Sequence, residues 1–430
     1  MNQHQTKKLL SFRWLIFLIL AFAYLLVYFH RLSLSVVADN IIREFNTTAS
    51  TLGLLGSIYF YCYAFMQLPA GLLSDSVGPR KTVTIFLLIA AIGSIIFGIS
   101  PNIETAFIGR VLVGFGVSMV FIPTMKILSQ WFRPYEFAFM AGILNAVGGI
   151  GVFAATGLLA FMTINFGWRL SFEIIGVCTL IIMILCWLIV RNRPQDKGWP
   201  SIDTIDNRET DAVVDDSQIS LSDGVKRVLS EKHFWPVAAW FFFDCGIFFG
   251  FGALWGGPYL MHVYNLSYAE TGTILSMIAL GMIIGSPTIG LVSDKLLKSR
   301  KIPFMICSFI LTIDIFLLYF FPSGLTKFSL SIIFFIFSVS SSAIVVIGFT
   351  TVKELFPVQI AGTSVGTVNL FPFLGGAVFM PLLGKILDAY PKTGNGFYSV
   401  EGYSTLLLVL LLSALAAFIC TLFMKETFPE

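Results

Sequence analysis

The sequence has very few charged residues. Only 12% of its 430 residues are Asp, Glu, Lys or Arg, whereas 57% are hydrophobic. A soluble globular domain carries roughly 25% charged residues. Because a soluble domain needs charged side chains over its surface, this composition excludes an ordinary soluble protein and favours a chain that lies in a membrane.

Cysteine and histidine are also scarce, with six and four residues. All six cysteines lie in apolar runs, and their spacing fits neither a metal site nor a disulfide framework, so we predict packing roles for them and no metal or cofactor. The sequence contains no G-x-x-x-x-G-K-[ST] loop, which disfavours transport driven by ATP. No nucleophile, base and acid lie together in the sequence, so we predict that the protein is not an enzyme, and we expect no nucleic-acid partner.

Long apolar runs make up most of the chain. A helix needs about 20 apolar residues to cross ~30 Å of hydrocarbon. Twelve segments meet this requirement: 14–38, 51–74, 82–99, 104–130, 137–161, 169–190, 234–262, 268–292, 303–321, 328–350, 360–387 and 402–424. The sequence therefore predicts an all-α membrane protein with twelve transmembrane helices.

Basic residues are concentrated on one side of these spans. The side that holds both termini also holds Arg80, Lys81, Arg133, Arg191, Arg193, Lys226, Arg227, Lys295, Lys298, Arg300 and Lys301. The opposite side has only Arg43, Arg169, Lys327, Lys385 and Lys392. The positive-inside rule then places both termini in the cytoplasm. The basic N-terminus imitates a secretory signal, but its apolar run is too long for one, so we expect it to be the retained first span.

Two short polar loops between spans repeat each other. Residues 71–81 read GLLSDSVGPRK and residues 290–301 read GLVSDKLLKSRK. Ordinary basic loops between spans are the alternative interpretation. The first copy resembles the G-x-L-x-D-x-x-G-R-[RK] signature of the major facilitator superfamily, whereas the second has Leu297 where the first has Gly78. The resemblance implies two pseudo-symmetric six-helix bundles with a central site and alternating access.

The implied bundles are residues 1–190 and 233–430, joined by a cytoplasmic linker at 191–232. The linker is polar and carries two prolines, so we predict that it is partly disordered, with a short helix near residues 223–230. The resemblance further implies that the two loops latch the cytoplasmic side. The implied latch residues are Gly71, Asp75, Gly78, Arg80, Lys81, Gly290, Asp294 and Arg300. An aspartate there can accept hydrogen bonds from a helix N-terminus or pair with a base, and Gly78 permits a tight turn.

A second repeat supports the two halves. Phe132, Gly142 and Asn145 have spacings of 10 and 3, and Phe356, Gly366 and Asn369 have the same spacings. Asn145 and Asn369 would then be equivalent residues that line a central cavity. Since a buried asparagine needs hydrogen-bond partners, each is either a substrate contact or a tie between helices.

The first span carries polar residues on one face. Tyr24, Tyr28, Arg31 and Ser35 are 4, 3 and 4 residues apart, a helical spacing. Arg31 either faces a watery cavity, where it could bind an anionic substrate, or snorkels toward the surface. The run RWLIFLILAFAYLLVYFHR looks like the first helix of the organophosphate and organic-anion branches of the superfamily, and this implies that Arg31 binds the anionic group. His30 replaces the aspartate that often precedes this arginine, and a histidine can titrate near neutral pH.

The fourth span begins with the sequence IGRVLVGFG. Arg110, Gly114 and Gly116 resemble the R-x-x-x-G-x-G signature of the family, which implies a role for Arg110 in proton coupling. The glycines allow close approach of helices. Lys126 lies near the cytoplasmic end of this span and points away from Arg110, so we interpret it as a snorkelling residue.

The seventh span contains a carboxylate. Asp244 lies 11 residues past His233, and Trp255 lies 11 residues further on, which puts Asp244 and Trp255 on one face of a regular helix. An ionisable residue inside a membrane is a functional hypothesis by default, so we predict a coupling role for Asp244, with a structural role as the alternative. Organophosphate antiporters have a second arginine in this span, but residues 248–252 contain no base. This difference favours a substrate with a single carboxylate.

Together these features predict a secondary transporter that imports a small carboxylate-bearing solute (an amino acid, short peptide or organic acid) with protons. Arg31, Tyr28, Tyr24, Asn145, Asn369 and Trp255 would bind the substrate. Asp244, His30 and Arg110 would couple protons. The resemblance also implies a monomer in a lipid membrane, the inner membrane if the host is a bacterium. The alternatives are a multidrug exporter by proton antiport and, more remotely, a transporter-like sensor.

Overall fold

The structure is a computed structural model that describes residues 3–205, 221–341 and 344–428. Almost all of these residues are helical, and the β pairing among them is one isolated bridge between Lys392 and Tyr398. The first ten α-helices are α1 Gln3–Leu32, α2 Leu34–Glu44, α3 Ala49–Ser76, α4 Pro79–Gly98, α5 Ile103–Ser118, α6 Phe121–Trp131, α7 Pro134–Phe153, α8 Leu159–Ile189, α9 Ile202–Ile205 and α10 Leu221–Ser230. The other nine are α11 Phe234–Ile247, α12 Gly256–Tyr264, α13 Tyr268–Leu291, α14 Lys301–Phe320, α15 Lys327–Ser340, α16 Val345–Glu354, α17 Val358–Val368, α18 Leu370–Asp388 and α19 Val400–Phe423.

Three stretches of wider π-helix interrupt the long helices. They are Ala154–Leu158 between α7 and α8, Phe248–Trp255 between α11 and α12, and Val292–Leu297 after α13. A π-helix is bonded from i to i+5 and occurs mostly as short bulges within α-helices, frequently at functional sites. Each stretch therefore changes the direction in which the side chains beyond it point.

Ten helices in the described ranges are long and apolar enough to cross a membrane. One of them, Phe139–Ile189, has 51 residues, which is enough for two crossings, and its helix breaks at Gly167, where φ is 79°. The shorter apolar helix Lys327–Ser340 lies where the sequence predicts the tenth span. With the long stretch counted twice and the shorter helix included, these segments correspond to the twelve predicted spans. The predicted helix in the linker is confirmed as α10.

The described residues fall into two compact units. One contains residues 3–28, 65–151 and 169–205, and the other contains residues 29–64, 152–168, 221–341 and 344–428. In the first unit, α4 packs closely on α5 because glycines at 93, 109 and 116 leave no side chain between the two backbones. In the second unit, α11 packs on α18 and α14 packs on α19. The predicted domain boundaries stay a prediction.

The second unit combines segments from both halves of the sequence. Residues 29–64 pack there against α12, the Phe248–Trp255 π segment and α18. The closest approach is at Gly257, where an added Cβ would lie 1.8 Å from the carbonyl oxygen of Ser35. A side chain at that position would therefore force the two segments apart.

Candidate functional site

Arg31 lies inside a cage of aromatic rings in the second unit. Its side chain is almost fully buried, and its Cζ lies 5.0 Å from the ring centroid of Tyr63, 5.3 Å from that of Phe373 and 5.8 Å from that of Phe249. Tyr63 and Phe373 also contact each other, with ring centroids 4.2 Å apart. Ring faces attract a cation, which compensates part of the free energy lost when the guanidinium leaves water. We call these four residues the arginine cage.

The position of Phe249 depends on two local features. Phe249 is the second residue of the Phe248–Trp255 π segment. Its ring lies against Gly376 of α18, where an added Cβ would be 3.0 Å from Phe249 and 3.1 Å from Phe60. The missing side chain at Gly376 therefore makes room for both rings. The sequence indicated neither feature as part of the site.

Asp244 is fully buried in α11 and accepts a hydrogen bond from Ser341. The distance from Ser341 Oγ to Asp244 Oδ2 is 2.8 Å, and Oδ1 accepts no hydrogen bond from the described residues. Asp244 lies in the same span as Phe249, whose ring contacts the Arg31 guanidinium.

The other predicted residues of the first span lie in different environments. His30 is fully buried, with its ring at 90° to that of Phe29. Tyr24 and Tyr28 belong to the other compact unit, where their ring centroids are 5.3 Å apart. Tyr28 packs against α7, since an added Cβ on Gly148 would lie 2.8 Å from its ring.

Trp255 does not share a regular helical face with Asp244. The π segment Phe248–Trp255 separates the two residues, and each residue in a π-helix turns through a smaller angle than in an α-helix. Trp255 is fully buried, and its Nε1 donates a hydrogen bond to the carbonyl oxygen of Met380, 3.0 Å away. The indole therefore ties the end of the π segment to α18.

The two predicted asparagines belong to different compact units. Asn145 is half-buried in α7, and Asn369 is half-buried at the junction of α17 and α18. Arg110 is buried in α5 with its Cζ 5.9 Å from the centroid of the Phe97 ring. The roles of Asn145, Asn369 and Arg110 remain predictions.

The first predicted latch loop is built around a glycine in a left-handed conformation. Gly78 has a φ of 94°, which favours glycine. An added Cβ there would lie 3.2 Å from Asn192, whose Oδ1 accepts a hydrogen bond from the backbone N–H of Arg80 at 2.8 Å. The Arg80 guanidinium lies over the Trp187 ring, 4.6 Å from its centroid. The start of the linker is thus folded onto this loop.

The second loop is held by ion pairs. Arg300 pairs with Asp294 and, at 3.1 Å, with Glu354 of α16, a residue that sequence reasoning missed. Burial opposes the charged form of Arg300, but the hydrogen bonds to Glu354 and Asp294 outweigh it and raise its pKa above the ordinary value. Glu426 accepts a hydrogen bond from the backbone N–H of Arg300 at 2.8 Å. Glu354 and Glu426 lie 54 and 126 positions from Arg300, so the loop sequence gives no hint of them.

Some predicted latch residues have little or no described environment. The surroundings of Gly71 and the side chain of Asp75 lie outside the described residues. Lys81 is exposed, and Gly290 lies in the last turn of α13 with no atom within 4 Å of an added Cβ. Lys126 donates a hydrogen bond to the carbonyl oxygen of Ser74 at 3.2 Å, so it binds the end of α3.

Sequence reasoning missed a group of buried polar contacts at the predicted outer ends of the spans. His262 Nε2 lies 2.8 Å from Asp39 Oδ2, and Tyr403 Oη lies 3.0 Å from His262 Nδ1. The His262 ring also stacks on Phe397 at 4.5 Å. Asp39 comes from the first half of the sequence, whereas the other residues come from the second half.

Asp388, whose side chain is exposed, makes a second long-range contact at these outer ends. Its carboxylate accepts hydrogen bonds from the backbone N–H groups of Ala49, at 2.9 Å, and Ser50, at 2.7 Å. These N–H groups begin α3 and have no partner within that helix. Gly384 allows the approach, because an added Cβ would lie 2.5 Å from the carbonyl oxygen of Ala49. We refer to Asp39, His262, Tyr403, Ala49, Ser50 and Asp388 as the outer clamp.

A cavity of about 340 Å³ lies beside the outer clamp. It is lined by Asp39, Arg43, Met261, Asn265, Leu266, Ser267, Tyr268 and Phe397. None of the predicted substrate residues lines it, so it is separate from the arginine cage.

The structure has many long apolar helices, and its buried groups include an arginine, a carboxylate and a hydrogen-bonded histidine. These features are typical of a polytopic membrane protein with a polar site in its interior. A model of the Major Facilitator Superfamily matches residues 20–380. The chain belongs to that superfamily of membrane transporters. This confirms the predicted fold class and the prediction that the protein is not an enzyme.

Curated relatives are distant but cover nearly the whole chain. Membrane sensor protein UhpC of Salmonella typhimurium is 26% identical over 91% of this chain and 90% of its own. Probable galactarate/D-glucarate transporter GarP of Escherichia coli is 23% identical over 97% of this chain and 96% of its own. Probable L-galactonate transporter of Escherichia coli is 26% identical over 86% of this chain and 82% of its own.

A solved structure shares the fold. The crystal structure of a bacterial homolog to the human lysosomal transporter Spinster, in an inward-facing and unoccupied conformation, has a TM-score of 0.75 and 17% sequence identity. The match covers 96% of this chain and 98% of that chain. At this identity the likeness concerns the fold alone.

Proposed function

We propose that this protein is a secondary transporter that carries a small organic acid, with the carboxylate bound by Arg31. The observation that carries the proposal is the arginine cage. A guanidinium that is only 7% exposed is costly to keep in an apolar interior for structural reasons alone. Guanidinium N–H groups match the geometry of a carboxylate, which makes Arg31 a suitable anchor for an organic anion.

Two of the relatives support an organic acid. Their names give galactarate, D-glucarate and L-galactonate as the substrates, all of which are sugar acids. Residues 248–252 supply no second base, which favours a singly charged acid, as galactonate is, over a doubly charged phosphate ester or diacid. Among the predicted classes we therefore favour the organic acid over the amino acid or short peptide.

Asp244 is our candidate for the residue that carries the coupling proton, with His30 as a second titratable group. Asp244 is buried and lies in the same span as Phe249, whose ring contacts Arg31. A proton on this carboxylate would remove a buried charge from that span, which would link protonation to substrate binding. We infer import by symport, in a bacterial inner membrane with both termini in the cytoplasm, by a monomer.

The test is a thermal-shift screen of purified protein in detergent, followed by uptake into proteoliposomes. The panel contains sugar acids, hexose phosphates, amino acids, dipeptides and lipophilic cations. It is applied to wild type, Arg31→Ala, Arg31→Lys and the control Arg193→Ala, which removes an exposed arginine paired with Asp196. A ligand that binds only the native state raises the melting temperature.

We expect sugar acids to stabilise wild type and Arg193→Ala but not Arg31→Ala. Arg31→Lys keeps the charge but loses the planar fork, so it should bind more weakly than wild type. Stabilisation of all four proteins by lipophilic cations, with none by acids, would refute the proposal and favour the multidrug exporter.

A second candidate function is a sensor, because one relative is named as a membrane sensor protein. A transporter should still take up substrate into proteoliposomes after residues 206–220 of the linker are deleted. A sensor that signals through the linker should bind the ligand, catalyse no uptake, and lose its signal on that deletion.

A further inference from the structure

The cavity beside the outer clamp has the size and the lining of a small-molecule site. Its volume of about 340 Å³ falls within the range of about 300–1,000 Å³ that is usual for ligand pockets. Apolar side chains such as Met261 and Leu266 form part of its wall, and a few polar groups lie among them. This mixture is typical of a pocket that binds and orients a small polar solute.

The charges at this cavity favour an anion. Arg43 is the only basic residue among those that line it, and it is exposed, so a solute can reach the guanidinium from solution. Asp39 lies four residues earlier on α2, but its carboxylate pairs with His262 at 2.8 Å. Arg43 makes no ion pair with the described residues, and its Cζ lies 5.2 Å from the centroid of the Phe397 ring. The guanidinium is therefore available to a carboxylate.

The same cavity can bind the hydroxyl groups of a sugar acid. Asn265, which follows α12 in a left-handed conformation with a φ of 53°, adds an amide that both donates and accepts hydrogen bonds. Asp39 adds carboxylate oxygens, which accept hydrogen bonds from hydroxyl groups. A guanidinium together with these acceptors fits a solute that carries both an acid group and hydroxyls.

The cavity also lies against the contacts that hold the outer ends of the spans together. The Phe397 ring near Arg43 stacks on His262, with centroids 4.5 Å apart, and His262 Nε2 lies 2.8 Å from Asp39. A solute that docks on Arg43 is thus held beside the outer clamp, at the predicted outer side.

We propose that this cavity is a second binding site, at which a hydroxylated organic anion docks on Arg43 before it reaches Arg31. The class of ligand rests on the proposed function. Because Arg43 is exposed, water competes with the anion, so this site is weaker than the site at Arg31 and adds little to the melting temperature. Its contribution is to concentrate the solute at the outer side, which lowers the KM for uptake.

The test measures how fast p-hydroxyphenylglyoxal, an arginine-selective reagent, modifies Arg43 in the purified full-length protein, with mass spectrometry as the readout. The probe is L-galactonate, the anion in the name of one relative, and the uncharged sugar L-galactose is the control ligand. Arg193, which is also exposed, is followed in the same samples as the control residue. The experiment is repeated on Arg31→Ala, in which the site at Arg31 is lost.

We expect L-galactonate to slow the modification of Arg43 in both proteins, by about 3-fold at twice its Kd for this site, and to leave Arg193 unaffected. L-galactose should have little effect. Protection of Arg43 in wild type alone would mean that binding at Arg31 hides it indirectly, and equal protection by the uncharged sugar would exclude an anion site. Either result, or no protection, would overturn the inference.

The second measurement is uptake of L-galactonate into right-side-out membrane vesicles. Arg43→Gln should raise the KM about 2- to 5-fold and keep kcat and the melting temperature, and Arg43→Lys should raise the KM less. The matched control Lys392→Gln removes an exposed base on the same predicted side that does not line the cavity, and it should keep the wild-type KM. An unchanged KM in Arg43→Gln would also overturn the inference.

The two proposals fail in different ways. If L-galactonate protects Arg43 but Arg31→Ala leaves uptake unchanged, the proposed function fails and the outer site stands. If uptake depends on Arg31 but Arg43 is not protected, the outer site fails and the proposed function stands.

Discussion

The imidazole of His262 lies 2.8 Å from the carboxylate of Asp39, although 223 residues separate the two in sequence. The side chains are only 3% and 6% exposed. A hydrogen bond to a buried carboxylate contributes more than one at the surface, because water cannot replace the lost partner. This contact therefore joins the two halves of the chain at the predicted outer face.

We predict a coupling free energy of about 1.5–3 kcal/mol between these residues. It is measured by a double-mutant cycle with Asp39→Asn and His262→Gln, followed by thermal unfolding in detergent. The control cycle uses Tyr268 and Asn40, a neutral pair with an O–O distance of 2.9 Å that should couple more weakly. Equal coupling in the two cycles would contradict a special role for the His262–Asp39 contact.

Asp388→Ala should destabilise the outer clamp. The carboxylate satisfies N–H groups at the start of α3, and loss of such a cap costs about 1 kcal/mol. Asp388→Asn keeps one carbonyl oxygen as an acceptor and should cost less. The melting temperatures should therefore rank wild type, Asp388→Asn and Asp388→Ala in falling order, and an unchanged value for the alanine variant would exclude a capping role.

Gly376→Ala should weaken substrate binding by displacing the Phe249 ring. The added methyl group would lie 3.0 Å from Phe249, and overpacking of this kind costs about 1–3 kcal/mol. Gly366→Ala is the matched control, because an added Cβ there meets no atom within 4 Å. We expect a higher Kd for the sugar acid in Gly376→Ala and a wild-type Kd in Gly366→Ala.

Glu136 should stabilise the protein in a pH-dependent way. Burial acts to raise the pKa of this carboxyl, but hydrogen bonds from Arg13, at 2.7 Å, and from the backbone of Arg133 outweigh it and lower the pKa below 4.5. A lowered pKa contributes stability above the ordinary value and loses it as the pH falls through the folded value. The difference in melting temperature between wild type and Glu136→Gln should therefore be largest near neutral pH and shrink below about pH 4.5. A difference that grows on acidification would refute this.

Asp244→Asn should abolish uptake driven by a pH gradient but keep the exchange of labelled for unlabelled substrate across the same vesicles. The substitution preserves the size of the side chain and an acceptor for Ser341, but it removes the group that takes up a proton. Asp314→Asn is the control, because Asp314 is also buried but lies in α14. Loss of both exchange and gradient-driven uptake in Asp244→Asn alone would indicate a binding role rather than a coupling role.

Local sequence patterns were sufficient to predict the helices and to recognise the signature loop of the superfamily. Apolar runs of about 20 residues must form helices in a bilayer, because the backbone has no other way to satisfy its hydrogen bonds there. The duplicated GLLSDSVGPRK loop pointed to the superfamily, and its glycine at 78 has the positive φ that the turn needs. Arg31 and Asp244 were also identifiable, since charged residues inside apolar spans stand out against their surroundings.

Some signals in the sequence were missed. The S-x-x-E pattern at Ser267 and Glu270 is a capping box that fixes the start of α13. The glycine-rich run FFGFGALWGG marks the π segment, which changed the expected direction of Trp255. Neither pattern identifies the partners of these residues in the folded chain.

By itself, the sequence determined that this chain forms membrane-spanning helices, that its loops resemble those of a transporter superfamily, and which apolar spans carry charged residues. These properties follow from composition and from spacings of a few residues. Only the tertiary structure decided that three rings surround Arg31 and that Asp388 caps a helix that begins 339 positions earlier. Such contacts depend on how distant helices pack, and a packing arrangement is set by the shapes of many side chains at once rather than by any local pattern.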